Sequence, residues 1–146
     1  MIKIIDFSTV YPIWSSHLWP NRVSAIEPTS AMQYLGNYDL KNMNYIPVFL
    51  AYIQDNIILG VNSGHKCQDN GYRSRGLYVQ PEYRGKGIGT ILLQETIKIG
   101  SLEGCDYVWS YPRKTSWKTY ERAGFLLSSD WEVSELGLNA YVRKDV

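Results

Sequence analysis

Residues 77–90 read Leu-Tyr-Val-Gln-Pro-Glu-Tyr-Arg-Gly-Lys-Gly-Ile-Gly-Thr, and here residue types and spacing could do chemistry. A strand ends, glycines turn the chain, and a helix begins. The first amides of a helix lack internal partners and lie at the positive end of its dipole. With no side chains at Gly85, Gly87 and Gly89, an anion such as a pyrophosphate can approach those amides closely. Arg84 and Lys86 add positive charge beside the opening. A glycine-rich connection that only makes a tight turn is the alternative. The commoner phosphate loops do not fit. A P-loop needs glycine at 80 and Ser or Thr at 87, where Gln80 and Gly87 stand. A dinucleotide fingerprint needs its third glycine at 90, where Thr90 stands.

The surrounding elements follow from periodicity and turn residues. Residues 2–5 alternate in part and predict a first strand. A short helix is predicted to start near Pro12, where proline suits a first turn. Another is predicted over residues 31–35, capped by Thr29 or Ser30. Residues 48–53 and 57–61 predict a hairpin through the turn at 54–56. Asn70-Gly71 is a turn signal leading into a strand over 72–79 that Pro81 ends. A helix is predicted over 88–99, stopped by Gly100 or Gly104. A strand at 106–110, a helix over 114–123 ended by Gly124, and closing strands at 125–127 and 138–142 complete the order. That order is α/β or α+β with a mixed sheet.

With 146 residues the chain is long enough for one core and short for two ordinary domains. The 45% hydrophobic and 20% charged composition is that of a globular chain. A net charge of +1 argues against a nucleic-acid or anionic-membrane partner. Asp6 arrives too early for a signal peptide, and the apolar run at 46–53 is too short to span a bilayer. Cys67 and Cys105 are far apart with no ligand-spaced neighbours, which predicts reduced thiols in a cytoplasmic protein rather than a zinc site or disulfide framework. Most of the 12 Tyr and 5 Trp are read as packing residues.

The glycine segment resembles the acetyl-CoA loop of the GNAT acetyltransferases, whose pattern is Gln or Arg, two residues, Gly, one residue, Gly or Ala. Arg84, Gly87 and Gly89 match it, and Val79, Pro81, Tyr83, Arg84 and Gly85 match its usual run-up. A second match is Ser116-Trp117-Lys118-Thr119-Tyr120-Glu121-Arg122-Ala123-Gly124-Phe125, similar to the family's helix that carries a Tyr before a Gly-Phe pair. Arg113 stands where an Asn is frequent, Ser116 where Ala is usual and Thr119 where Leu is usual. The likeness covers roughly residues 72–128.

The resemblance implies one domain over 1–146, with a mixed, mostly antiparallel sheet flanked by helices and splayed strands that bind acetyl-CoA. The backbone of Leu77, Tyr78 and Val79 would hold the pantetheine arm, near Arg113 and Ser116. The amides of Arg84, Gly85, Lys86, Gly87, Ile88, Gly89 and Thr90 would hold the pyrophosphate. Tyr120 would face the sulfur and protonate the leaving thiolate, whose ordinary pKa is about 8.5. The alternative for Tyr120 is a packing role before the Gly-Phe turn. No metal is expected.

The acceptor amine must attack in its neutral form. Deprotonation at pH 7 costs about 4.6 kcal/mol for a lysine-type amine and about 1 kcal/mol for an α-amine. The strand position that carries a base Glu in some family members holds Arg73. A small amine or a peptide amino terminus is therefore the expected acceptor, with Glu27 and His65 as the remaining base candidates. His65 could equally be an exposed strand end, and Glu27 a cap for the helix after Pro28. Arg73 and Arg75 share one strand face and could anchor a substrate carboxylate, or form a solvated strand edge. Trp14, His17 and Trp19 would line the acceptor side, or pack onto the sheet. A monomer or homodimer is expected. A non-catalytic acyl-CoA sensor of the same fold is the alternative function.

Overall fold

A computed structural model describes residues 1–135 and 137–146. Its centre is a seven-stranded sheet in the order β1-β2-β3-β4-β5-β9-β6. The strands are β1 (Ile2–Ile5), β2 (Val48–Gln54), β3 (Ile57–Lys66), β4 (Gly71–Val79), β5 (Tyr107–Ser110), β6 (Leu126–Leu127) and β9 (Val142–Asp145). A separate hairpin pairs β7 (Glu132–Ser134) with β8 (Gly137–Asn139). Every neighbouring pair of the large sheet is antiparallel except β4 with β5. The predicted mixed, mostly antiparallel architecture is the one observed.

Alternation along the strands sends successive side chains to opposite faces. Leu50, Leu59, Ile88 and Leu92 pack together where helix α2 (Ile88–Leu102) covers one face. Tyr72, Leu93, Val108, Tyr120 and Phe125 extend that layer beneath α3 (Trp117–Arg122). Phe49, Ala51 and Val61 point the other way, onto Val10 and Trp14 of the opening helical segment. Tyr107, Trp109 and Tyr141 continue that second layer.

The middle of β4 holds a bulge. Ser63 opposes Arg75 and Val61 opposes Tyr78, so Asn62 faces two residues of β4, Gly76 and Leu77. Gly76 absorbs the kink with φ +80°. One extra residue returns Leu77 and Val79 to the α2 face while Arg73, Arg75 and Tyr78 share the other. The Trp14 indole N–H donates to the Gly76 carbonyl at 2.8 Å, and a Cβ on Gly76 would lie 2.3 Å from that ring.

Several predicted elements differ. Helix α1 is Phe7–Ile13, capped by the Asp6 carboxylate accepting from the Thr9 amide. Pro12 therefore falls inside it rather than at its start, and the chain continues as a π-helical turn over Trp14–Leu18. The helix predicted after Thr29 is absent. The Ser30 amide donates to His65 Nε2, the Ser30 hydroxyl accepts from the Met32 amide, and Met32 pairs with Tyr38. Short 3-10 turns at Tyr34–Gly36 and Leu40–Asn44 replace it. Asp55 and Asn56 both adopt positive φ in the β2–β3 turn, and Asn70 does so before β4. Helix α2 runs through Gly100, which packs on the Tyr72 ring, and ends at Gly104. The last strand of the sheet is Val142–Asp145 rather than 138–142, because Gly137–Asn139 pairs with Glu132–Ser134 instead.

Candidate active site

Strands β4 and β5 pair over only three positions, Gly71–Tyr107, Tyr72–Val108 and Arg73–Trp109. Beyond them β4 runs on for six residues while β5 ends at Ser110, so the sheet opens as a fork. At its apex the Ser110 hydroxyl donates to the Ser74 carbonyl at 2.7 Å. A cleft of about 750 Å³ follows this opening. Leu77, Tyr78 and Val79 form one wall; Ser110, Arg113 and Ser116 lie on the other.

One end of the cleft meets the glycine turn. Gly87 caps α2 with φ +87°, and no side chain bonds the first helical amides. A Cβ at Gly85 or Gly87 would meet nothing within 4 Å, so the space before those amides is open to an anion. Gly89 has another reason to be glycine: its Cβ would lie 2.9 Å from the Thr119 methyl where α2 and α3 pack. Gly85, Gly87, Ile88, Gly89, Thr90 and Arg84 border the cleft. Lys86 does not, and its ammonium lies over the Tyr83 ring at 5.4 Å. Arg84 folds back, donating from Nε to the Val79 carbonyl at 2.8 Å and covering the Tyr78 ring.

Tyr120 borders the cleft at the fork apex, within reach of Ser110, and is only 3% exposed. Burial pushes its phenol above the ordinary range; the Ser110 hydroxyl and the Arg73 charge oppose that shift. The ring also packs edge-on against Phe125, so the residue carries core contacts as well as bordering the cleft.

The face opposite α2 and α3 carries the other candidates. Arg73 and Arg75 both border the cleft, yet they are 8% and 3% exposed, which overturns the reading of a solvated strand edge. The Arg73 guanidinium lies over Trp109, and that of Arg75 over Trp14 and Trp19. Trp14 itself is fully buried behind Gly76 and off the cleft wall, so its role is packing. His17 is on the wall, stacked on Tyr78 at 5.5 Å between ring centroids. Trp19 stands on the wall beside it.

Neither base candidate reaches the cleft. Glu27 is exposed and contributes its backbone carbonyl, which accepts from Arg75 at 2.7 Å. His65 is wholly buried rather than exposed. Its Nε2 accepts from the Ser30 amide and its Nδ1 contacts the Lys66 carbonyl at 2.9 Å. Burial lowers its pKa to about 3, so it is neutral with no lone pair to spare. Arg113 does border the cleft, and its guanidinium donates to the Leu18 carbonyl, tying the π-helical turn to the segment after β5.

Wall residues missed in the sequence include Ser110, Arg22, Tyr111, Glu135 and Asn139. Only Ser110 lay in a segment already read as a strand end. The others come from loops brought together by sheet closure and carry no local signal. Among the described residues no three His, Cys, Asp or Glu side chains gather as a metal site. Among the same residues no helix is long and apolar enough to cross a membrane.

The forked sheet, the bare glycine turn at one end and the buried phenol near the apex all border one cleft. The model of the acetyltransferase (GNAT) family matches residues 11–125, and the chain belongs to that family. No curated protein sequence matches it. Among solved structures, an aminoglycoside 6'-N-acetyltransferase complexed with coenzyme A is similar at TM-score 0.72 and 12% identity, over 99% of this chain and 96% of that one. The IAA acetyltransferase from Bacillus cereus is similar at TM-score 0.69 and 13% identity, over 100% and 99%. The PaiA N-acetyltransferase from Thermoplasma acidophilum, in complex with coenzyme A, shares 25% identity at TM-score 0.57, over 68% of this chain and 61% of that one.

Proposed function

We propose that residues 1–146 form a single N-acetyltransferase domain. It moves an acetyl group from acetyl-CoA to a primary amine of a small molecule or a peptide amino terminus. The supporting observation is convergence: the uncapped start of α2, the open edge of β4 and the Tyr120 phenol all meet one cleft. Coenzyme A complexes among the structural neighbours agree with it.

The chain's own groups fit such a cosubstrate. The first amides of α2 would bind the pyrophosphate in the open space at Gly85 and Gly87. The edge of β4 from Leu77 to Val79 would bond the pantetheine arm as a neighbouring strand would. The acceptor nitrogen forms its bond to the acetyl carbon as the carbon–sulfur bond breaks. Tyr120 gives its proton to the departing sulfur, the acceptor nitrogen releases one proton to solvent, and the phenolate takes one back from solvent. A phenol held above its ordinary pKa is fully protonated at neutral pH, as that role requires. With His65 and Glu27 off the cleft, His17 and Glu135 are the histidine and carboxylate that line it among the described residues, and an easily deprotonated amine asks least of them.

The test is release of free CoA from acetyl-CoA over a panel of amino acids, polyamines, aminoglycosides and peptides. Turnover with at least one amine is expected, and Tyr120→Phe should lower kcat about 100-fold while CoA still binds. CoA binding without turnover on any amine would overturn the transferase reading in favour of a sensor. Turnover confined to internal lysines of peptides would overturn the acceptor class.

A further inference from the structure

Two buried arginines on one strand face are costly to fold, because a cation taken out of water loses several kcal/mol of hydration unless a partner replaces it. A structural pair would find carboxylates. Arg73 and Arg75 do not: among the described residues the one ion pair is Arg143 with Asp145, on the far strand. Arg73 Nε donates to the neighbouring Ser74 carbonyl at 3.0 Å, and its Nη1 lies 3.5 Å from the Met32 sulfur. Arg75 Nη1 donates to the Glu27 carbonyl, while the exposed Glu27 carboxylate acts on it without forming an ion pair. Ring faces supply the remaining contacts, Trp109 at 4.5 Å from Arg73 and Trp14 and Trp19 at 5.1 Å from Arg75.

The direction of these guanidiniums is as informative as their isolation. Both border the cleft, and Arg22 joins them, held by its Nε bond to Ser24 at 3.0 Å and by Trp19 at 4.9 Å. Among the described residues the only acidic side chain on that wall is Glu135. Arg75 immediately precedes Gly76, the bulge within the open edge of β4. The cations therefore sit beside the place where the acetyl group would be presented, on the face away from α2.

We propose that Arg73 and Arg75 form an oxyanion-binding subsite for the acceptor, so that the substrate is an amine carrying a carboxylate or phosphate. This rests on the acetyltransferase reading above. Rigid guanidinium forks match such oxyanions, and stacking on tryptophans fixes the forks in advance. A bound oxyanion replaces the absent carboxylate partner and orients the amine toward the thioester.

The experiment has a binding arm and a turnover arm. Trp14, Trp19 and Trp109 surround the arginines, so their fluorescence reports occupancy of the subsite without catalysis. In the presence of CoA, the protein is titrated with the standard amino acids, β-alanine and phosphoethanolamine, and with the matching amides and ethanolamine as neutral controls. Saturable binding of at least one anionic amine, tenfold or more tighter than its neutral control, is expected. Arg75→Gln and Arg73→Gln should each remove most of that preference, with the loss falling on KM where turnover is measured. Arg73→Lys and Arg75→Lys, which keep the charge, guard against misfolding, and retained CoA affinity establishes a folded site. Preference for phosphoethanolamine would identify phosphate as the oxyanion source, and preference for amino acids would identify carboxylate. Equal binding of anionic and neutral amines, or equal losses for both in the folded variants, would overturn the proposal. Selective binding without turnover would keep the subsite while overturning the transferase reading.

Discussion

His65 shows what burial does to a residue whose type alone promises chemistry. It looked like a base because histidine often is one. The fold instead spends both ring nitrogens, on Ser30 and Lys66, in a site with no solvent. Its pKa of about 3 lies below that of a histidine in the unfolded chain, near 6.5. Between those values the unfolded chain binds the extra proton, so stability rises with pH across that window and is fully present above it. Acidification from pH 6.5 towards 3 should therefore cost up to about 1.4 kcal/mol per pH unit from this residue. Urea titrations at stepped pH should show a shallower acid slope in His65→Gln than in the parent protein, even though the variant starts less stable; equal slopes would refute the assignment. Neither this burial nor that of Arg73 and Arg75 was legible in the sequence, because the covering groups come from residues 14–32 and from Trp109, far along the chain. Arg84, Gly87 and Tyr120 were legible, since their motifs are local.

At the scale of elements, two glycines with similar φ do different work. Gly87 opens onto empty space, whereas Gly76 faces the Trp14 ring. Gly87→Val should cost about 1–2 kcal/mol for left-handed backbone strain and weaken CoA binding at least tenfold by filling the anion approach. Gly76→Ala adds an overpacked contact to the same strain, for a loss of about 2–5 kcal/mol, with any effect on CoA binding following from unfolding. Denaturant midpoints and calorimetric CoA titrations on both variants separate the two cases. The strands were readable because alternation and turn residues are local; the β4 bulge was not, since Gly76 in a strand is ambiguous without its partner strand. Residues 20–47 misled for a related reason. Thr29 and Ser30 look like helix caps, but their polar groups go to Met43, Met32 and His65 instead. The closing strand was placed too early because Leu138 continues an apolar pattern that belongs to the β7–β8 hairpin.

At the scale of the molecule, the order of elements was legible and the closing of the cleft was not, since its walls join residues more than a hundred positions apart. The fork has a consequence beyond catalysis. One half of the sheet, β1 to β4, is held to the other, β5, β9 and β6, by three parallel register positions. By the proposed reading, a cosubstrate lying along β4 and against α3 would splice the two halves, and the fold would be more cohesive when charged than when empty. Saturation at 100 times Kd is worth about 2.7 kcal/mol, or roughly 8 °C in Tm for a chain of this size. Hydrogen exchange should slow on CoA addition at β4, at the first turn of α2 and also at β5; protection confined to the glycine turn would refute the splice. In a cell, such coupling would make the lifetime of this protein track the supply of coenzyme A, acylated or free. Depletion of the coenzyme would then thin the enzyme's population by proteolysis as well as idle its active site.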